Sequence, residues 1–211
     1  MPASRVNSMS PWHIVLVLDD SGSMIGSPAD EVNNAVTAMI DELKLMTSGM
    51  KPYFKLSVIT FGTRPELVCE AVSEQAVDMN KAASLKGDSG STNAEAALEE
   101  AYQLLRKNPG AATDFTPYIF FLSDGAPDDV DAALAAGDKL KKMSIAAGTP
   151  KLVTIGFGPV NDDFMQKLAS NTEMYKKLQD YRQIVKIFPA IGTIAQTATG
   201  TEGMDQAIMN L

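Results

Sequence analysis

Three small oxygen-bearing side chains, Asp19, Ser21 and Ser23, stand at alternate positions where the apolar run His13-Ile14-Val15-Leu16-Val17-Leu18 ends, and Gly22 lets the backbone bend between the serines. One carboxylate and two hydroxyls brought to a point are hard donors, and such donors suit Mg²⁺, with Mn²⁺ or Ca²⁺ as alternatives. The same pentad also reads as a strand running into a polar turn. Taken alone it does not decide between the two.

Two other segments carry the same chemistry. Thr92 stands in Asp88-Ser89-Gly90-Ser91-Thr92-Asn93, just before the helical pattern Ala94-Glu95-Ala96-Ala97-Leu98. Asp124 ends the apolar run Tyr118-Ile119-Phe120-Phe121-Leu122-Ser123 and is followed by Gly125. In an open parallel sheet, ligands collect at the carboxyl ends of strands near the switch point. An Asp-x-Ser-x-Ser, a Gly-x-Thr and a strand-ending Asp-Gly, in that order, resemble the complete metal-ion-dependent adhesion site of the von Willebrand factor A (vWA) family. The resemblance spans about 11–199 and implies Asp19, Ser21, Ser23, Thr92 and Asp124 as metal ligands. It also implies a partner protein whose acidic residue completes the metal sphere. The wording of 20–28, of 121–127 and of the ending after Gly156-Phe157-Gly158 is similar to bacterial vWA proteins of tellurium-resistance and stress-response clusters. That narrower similarity implies kinase and phosphatase partners.

Charge counting fits the reading. Asp19 and Asp124 supply two negative charges, while Ser21, Ser23 and Thr92 supply neutral oxygens, so a divalent ion is neutralised without excess. Mg²⁺ wants about six near-octahedral ligands, which leaves a position for solvent or a partner carboxylate. Thr92 has a competing role, since with Glu95 it has the spacing of a helix capping box. Asp20 points away from Asp19 by strand alternation and is not counted as a ligand. Met24 and Ile25 fit either a contact surface or core packing, and Arg64 fits either an exposed hairpin residue or a partner for an incoming carboxylate.

The elements that must position these groups alternate strand and helix, which predicts an α/β fold: a doubly wound, mostly parallel sheet with one antiparallel edge strand and helices on both faces. Strands are expected at about 12–18, 54–61, 67–72, 118–123, 151–157 and 173–178; the short connection after Phe61 makes the third an antiparallel edge. A helix opens with Ser27 as N-cap and Pro28 at its first position, and Val32, Ala35, Val36, Met39, Ile40 and Leu43 form its buried face. Further helices are expected over 92–105, 129–147 and 162–169. A last one starts near Asp180 and is kinked or broken at Pro189. The whole chain, 1–211, reads as one domain with flexible tails at 1–10 and 200–211.

Composition narrows the function classes. A net charge of −8 and an isoelectric point near 4.7 argue against nucleic acid or an anionic membrane as partner. Cys69 is the single cysteine, so no internal disulfide forms, and the segment Met1–Ser8 lacks the apolar core of a secretory signal. A cytoplasmic location is the expectation. A phosphoacceptor receiver domain fits poorly, because Asp19 and Asp124 are too far apart in sequence and the fifth strand ends without a lysine. A haloacid-dehalogenase-like phosphatase needs an Asp where Ser21 stands. His13, the sole histidine, precedes the first strand and has no nucleophile in prospect. The chain therefore reads as a metal-dependent protein-interaction module rather than an enzyme. The alternatives are a scaffold subunit with a purely structural metal and, last, a metal-dependent phosphoryl-transfer enzyme.

Overall fold

The computed structural model describes residues 5–211. In chain order it contains β1 (Trp12–Asp19), α1 (Ser27–Met46), β2 (Phe54–Phe61), β3 (Pro65–Ser73), the single-turn α2 (Met79–Ala82), α3 (Ala94–Lys107), β4 (Phe115–Ser123), α4 (Val130–Lys141), β5 (Lys151–Gly156), α5 (Asp162–Leu168), β6 (Tyr175–Lys177), α6 (Ile184–Thr197) and α7 (Gly200–Met209). The six strands lie in the order β3-β2-β1-β4-β5-β6. Only β3 is antiparallel, paired to β2 through the short 62–64 connection. The order reverses between β1 and β4, so their carboxyl ends, at Asp19 and Ser123, border the crevice where such sheets bind ligands.

β1 is buried along its whole length because both faces of the sheet are covered. Ile14, Leu16 and Leu18 pack with Val36 and Met39 of α1, Phe188 and Ile191 of α6 and Met204 of α7. Val15 and Val17 face the other layer, with Leu98 and Leu105 of α3, Leu140 of α4 and Phe164 of α5. Each such apolar side chain contributes roughly 1.5–3 kcal/mol on burial. Phe61 and Phe121 stack at 5.3 Å near the carboxyl ends of β2 and β4 and brace the floor of the crevice.

Several boundaries depart from the sequence reading. Gly26, not Ser27, is the N-cap of α1, so the helix starts one residue earlier with Pro28 in its first turn. α4 stops at Lys141, and 143–149 form a loop closed by an Ile145–Gly148 bridge. The chain after Asp180 forms a 3-10 turn, Tyr181–Gln183, before α6 begins. α6 then runs through Pro189 without a break, although the ring removes one backbone bond, because Phe188 and Ile191 on either side are fully buried.

The carboxyl-terminal tail expected over 200–211 is instead mostly helix. In α7, Met204 and Ile208 are one turn apart and fully buried. Asp205 accepts a hydrogen bond from the Tyr118 hydroxyl and pairs with Lys151 at 3.2 Å. Of the expected amino-terminal tail, 1–4 lie outside the described residues, while Val6 and Ser10 are buried and Asn7 and Ser10 form a bridge.

Candidate metal centre

Asp19 is the last residue of β1 and has no exposure to solvent. Its Oδ1 accepts the Ser21 backbone N–H at 2.9 Å, which turns the chain so that the 21 and 23 side chains return toward the strand end. Its Oδ2 accepts the Ser123 hydroxyl at 2.6 Å. The Ser21 and Ser23 hydroxyl oxygens lie 3.2 Å apart, and the Ser23 hydroxyl donates to Asp124 Oδ1 at 2.6 Å. Asp124, from the end of β4, thus joins a cluster that begins on β1, as the switch point requires.

Thr92 arrives from a loop. A methyl group placed on Gly125 would sit 3.9 Å from Thr92 Oγ1 and 4.0 Å from Ser23 Oγ, so the two hydroxyls border the same side of that glycine. The capping box expected for Thr92 does not form. Asn93 caps α3 instead, its Oδ1 accepting the Ala96 N–H at 3.0 Å. With a neighbour doing that work, the Thr92 hydroxyl is left without a protein partner among the described residues. All five predicted positions therefore meet at one place.

The loop that carries Thr92 is clamped at both ends by carboxylates whose role the sequence reading missed. Asp20, set aside as a ligand, turns to the far side of β1. Its Oδ1 accepts the Lys86 and Gly87 N–H groups at 2.7 and 2.6 Å, and its Oδ2 accepts the Ser89 hydroxyl at 2.7 Å. Gly87, at φ +69°, packs so tightly that a Cβ there would come within 2.2 Å of the Ile25 backbone nitrogen. Asp128, beyond β4, accepts the Ser91 hydroxyl at 2.7 Å and the Thr92 N–H at 3.1 Å, and its own N–H donates to the Thr92 carbonyl. Ser123 was also missed; it stands one position before Asp124 and fixes the free oxygen of Asp19. An Asp that follows a strand-ending Asp was the only available signal among these three.

Electrostatics separate this cluster from an ordinary polar turn. Burial pushes the Asp19 carboxyl up to about 6, against the hydrogen bonds from Ser123 and Ser21, and the Asp124 charge pushes it the same way. Burial also raises Asp124, opposed by the Ser23 hydrogen bond. Among the described residues neither carboxylate has an ion-pair partner. Nor do three His, Cys, Asp or Glu side chains gather anywhere in the described chain. The two carboxylates and the hydroxyls form a donor set that would fit a hard divalent cation. Two adjacent buried carboxylates without a cation are costly, and an ion at this point removes that cost.

The rim residues divide. Met24 is fully buried, whereas Ile25 is 68% exposed on the same turn. Arg64 is exposed, as an ordinary hairpin residue would be. His13 is buried at the other end of β1, with Nε2 2.9 Å from Ser57 Oγ, and Cys69 lies half-buried on β3 with its thiol pushed up by burial. Neither approaches the cluster.

With the fold and the site in place, comparison with known sequences defines the class. The sequence model of the von Willebrand factor type A domain matches residues 13–190. The chain belongs to that family. It is 30% identical over 169 residues to an uncharacterized protein of Synechocystis sp., covering 77% of this chain and 36% of that protein. It thus spans little more than a third of that relative's length. Among solved structures it resembles proximal thread matrix protein 1 of the mussel byssus with a zinc-occupied metal-ion-dependent adhesion site (TM-score 0.69, 17% identity, 90% of this chain and 47% of that one). It also resembles the manganese-loaded TRAP protein of Plasmodium vivax (TM-score 0.62, 24% identity, 85% and 74%). At these identities the structural likeness establishes the fold. Among the described residues no helix is long and apolar enough to cross a membrane.

Proposed function

We propose that this chain is a divalent-metal-dependent protein-interaction module in which Asp19, Ser21, Ser23, Thr92 and Asp124 hold Mg²⁺, or Mn²⁺ or Ca²⁺ in its place. The observation that carries the reading is the meeting of two buried, unpaired carboxylates with three hydroxyls at the switch point of the sheet. That two similar structures carry zinc and manganese supports a divalent ion of some kind. The bound ion supplies an electrophilic point that accepts a carboxylate oxygen from a partner. The residues of this chain do the rest. Asp19 and Asp124 balance the charge, Ser123 and the Ser21 N–H fix Asp19, and Asp20 and Asp128 hold the Thr92 loop in register.

No step of this scheme makes or breaks a covalent bond, and vWA domains in general act by binding, so the reading is of an interaction module rather than an enzyme. The single cysteine and the acidic surface favour a cytoplasmic protein whose partners are proteins rather than nucleic acid or membrane. The loop wording at 20–28 and 121–127 favours a bacterial stress or tellurium-resistance system with kinase and phosphatase partners, and the length of 211 residues favours a single domain. The test is affinity capture from host lysate with wild type and Asp19→Ala, each with Mg²⁺ and with EDTA. Partners lost both in EDTA and in the variant support a metal-bridged contact. Partners held equally in all arms would make the metal structural and overturn the proposal.

A further inference from the structure

Four large apolar side chains stand exposed among the described residues: Met9, Ile25, Leu45 and Met50. Met9 precedes β1, and Leu45 and Met50 lie where α1 ends and the chain returns to β2, all at the amino pole of the sheet. Ile25 alone stands at the carboxyl pole, two residues beyond Ser23 and so within about 8 Å of it from Cα to Cα. A lone exposed apolar side chain is ordinary on a protein surface. Ile25 differs in how firmly it is held and in what it stands beside.

Its backbone is fixed from three directions. Before it, the Met24 N–H donates to the Ser21 carbonyl at 2.9 Å, and the Met24 side chain is fully buried. After it, the Gly26 carbonyl accepts the Asp30 N–H at 3.1 Å as α1 begins. Beside it, the 86–88 loop packs so closely that a Cβ on Gly87 would come within 2.4 Å of Ile25 Cα. That loop is itself tied to Asp20 through the Lys86 and Gly87 N–H groups. The Ile25 side chain is thus 68% exposed on a backbone that is already ordered, so covering it costs a partner little further ordering.

The rest of the rim offers a partner little else to read. Gly22 meets the Gly90 carbonyl, Gly125 lies beside the Thr92 and Ser23 hydroxyls, and Gly158 lies against the Asp124 carbonyl, so four loops present backbone there. The exposed charges on these loops are of both signs, Arg64 and Lys86 against Asp88, Asp128 and Asp129. Beyond the metal they single out no charge on the partner. A divalent ion selects a carboxylate, and Ile25 is the one large apolar side chain exposed at this pole to select what lies next to it.

We propose that Ile25 is the specificity contact of this site: the partner's metal-bound acidic residue has a large aliphatic neighbour in its own chain, and that neighbour packs on Ile25. The proposal rests on the metal reading above, and its test separates the two. Calorimetry with Mg²⁺ first measures the ion in wild type and in Ile25→Ser. Each protein, ¹⁵N-labelled and loaded with Mg²⁺, is then titrated by NMR with three capped peptides, Gly-Leu-Asp-Gly, Gly-Asp-Leu-Gly and Gly-Gly-Asp-Gly, and again in EDTA. The expected result is equal Mg²⁺ affinity in the two proteins and Mg²⁺-dependent binding of all three peptides. At least one leucine peptide should bind wild type about tenfold more tightly than the glycine peptide, the gain from burying part of one aliphatic side chain. Ile25→Ser should bind all three alike, at the wild-type affinity for the glycine peptide. Absence of Mg²⁺ binding in wild type would remove the metal reading and the proposal with it. With Mg²⁺ bound, the Ile25 assignment alone is overturned by any of four results: no peptide binding, equal affinities in wild type, a leucine preference that survives Ile25→Ser, or binding that persists in EDTA.

Discussion

β1 ends in two opposite electrostatic states. At its amino end, His13 is kept neutral, Ser57 is satisfied, and Lys55 and Asp114 pair with each other, so the buried polar groups nearly balance within the protein. At its carboxyl end, Asp19 and Asp124 are buried among hydroxyls with no cationic side chain paired to them among the described residues. The same strand, equally covered by helices, thus carries one compensated pole and one uncompensated pole. A fold that closes its polar accounts at one end and leaves a deficit of positive charge at the other marks the second as the place completed from outside.

The largest effect should come from breaking the uncompensated pole. Asp19→Ala is expected to abolish Mg²⁺ and Mn²⁺ binding measured by calorimetry, since it removes half the negative charge and the group that organises Ser21 and Ser123. Unchanged affinity in that variant would dissolve the site assignment.

Acid titration sets the two poles against each other. His13 is held at about 4 in the fold, below its ordinary 6.5, so the stability it leaves intact above pH 6.5 is lost as pH falls toward 4, by about 3 kcal/mol. Asp19 is raised to about 6 from 3.8, so its contribution has the opposite sign: in metal-free protein it gains about 3 kcal/mol as pH falls from 6 toward 3.8. The two contributions oppose each other in metal-free wild type. Relative to wild type, chemical denaturation in EDTA between these pH values should show more stability lost on acidification for Asp19→Asn and less for His13→Gln. Parallel profiles in the three proteins would show that the poles are not charged as described.

A smaller effect tests the loop ligand. Thr92→Val should weaken metal binding about tenfold, equivalent to ~1.4 kcal/mol, and leave the melting temperature nearly unchanged because Asn93 holds the helix cap. Asn93→Ala should do the reverse, costing ~1 kcal/mol of stability. A Thr92→Val protein that melts early but binds metal normally would return Thr92 to a structural role. The smallest effect is expected from Asp128→Ala, which removes a clamp and not a ligand. Metal affinity should fall by roughly tenfold or less, in line with groups that orient ligands from behind. An affinity identical to wild type would mean the 91–92 backbone keeps its place unaided.

The legibility of these features follows physical range. The Asp19, Ser21 and Ser23 spacing and the strand-ending Asp124 were readable because an apolar run followed by small polar residues is a local pattern. The fold class was readable for the same reason, since Val32 to Leu43 and the buried strands each carry their own periodicity. Ser123 on Asp19, Asp20 on 86–89 and Asp128 on 91–92 were not, because each contact spans 36 to 104 residues and depends on how loops meet. The choice between Thr92 and Asn93 as cap was hidden because both residue types cap helices. α7 was hidden by its composition: Gly200, Thr201 and Gly203 lower helix propensity, and only packing of Met204 and Ile208 on the sheet makes the helix worthwhile.

A divalent ion is expected to complete the carboxyl pole of β1. The most direct test is calorimetric titration of Mg²⁺ and of Mn²⁺ into EDTA-stripped wild type and Asp19→Asn, with the folded state of both checked by thermal melting. Wild type should show saturable binding and an upward shift in melting temperature, and Asp19→Asn should show neither while being no less stable than metal-free wild type. No binding in wild type, or equal binding in both proteins, would contradict it.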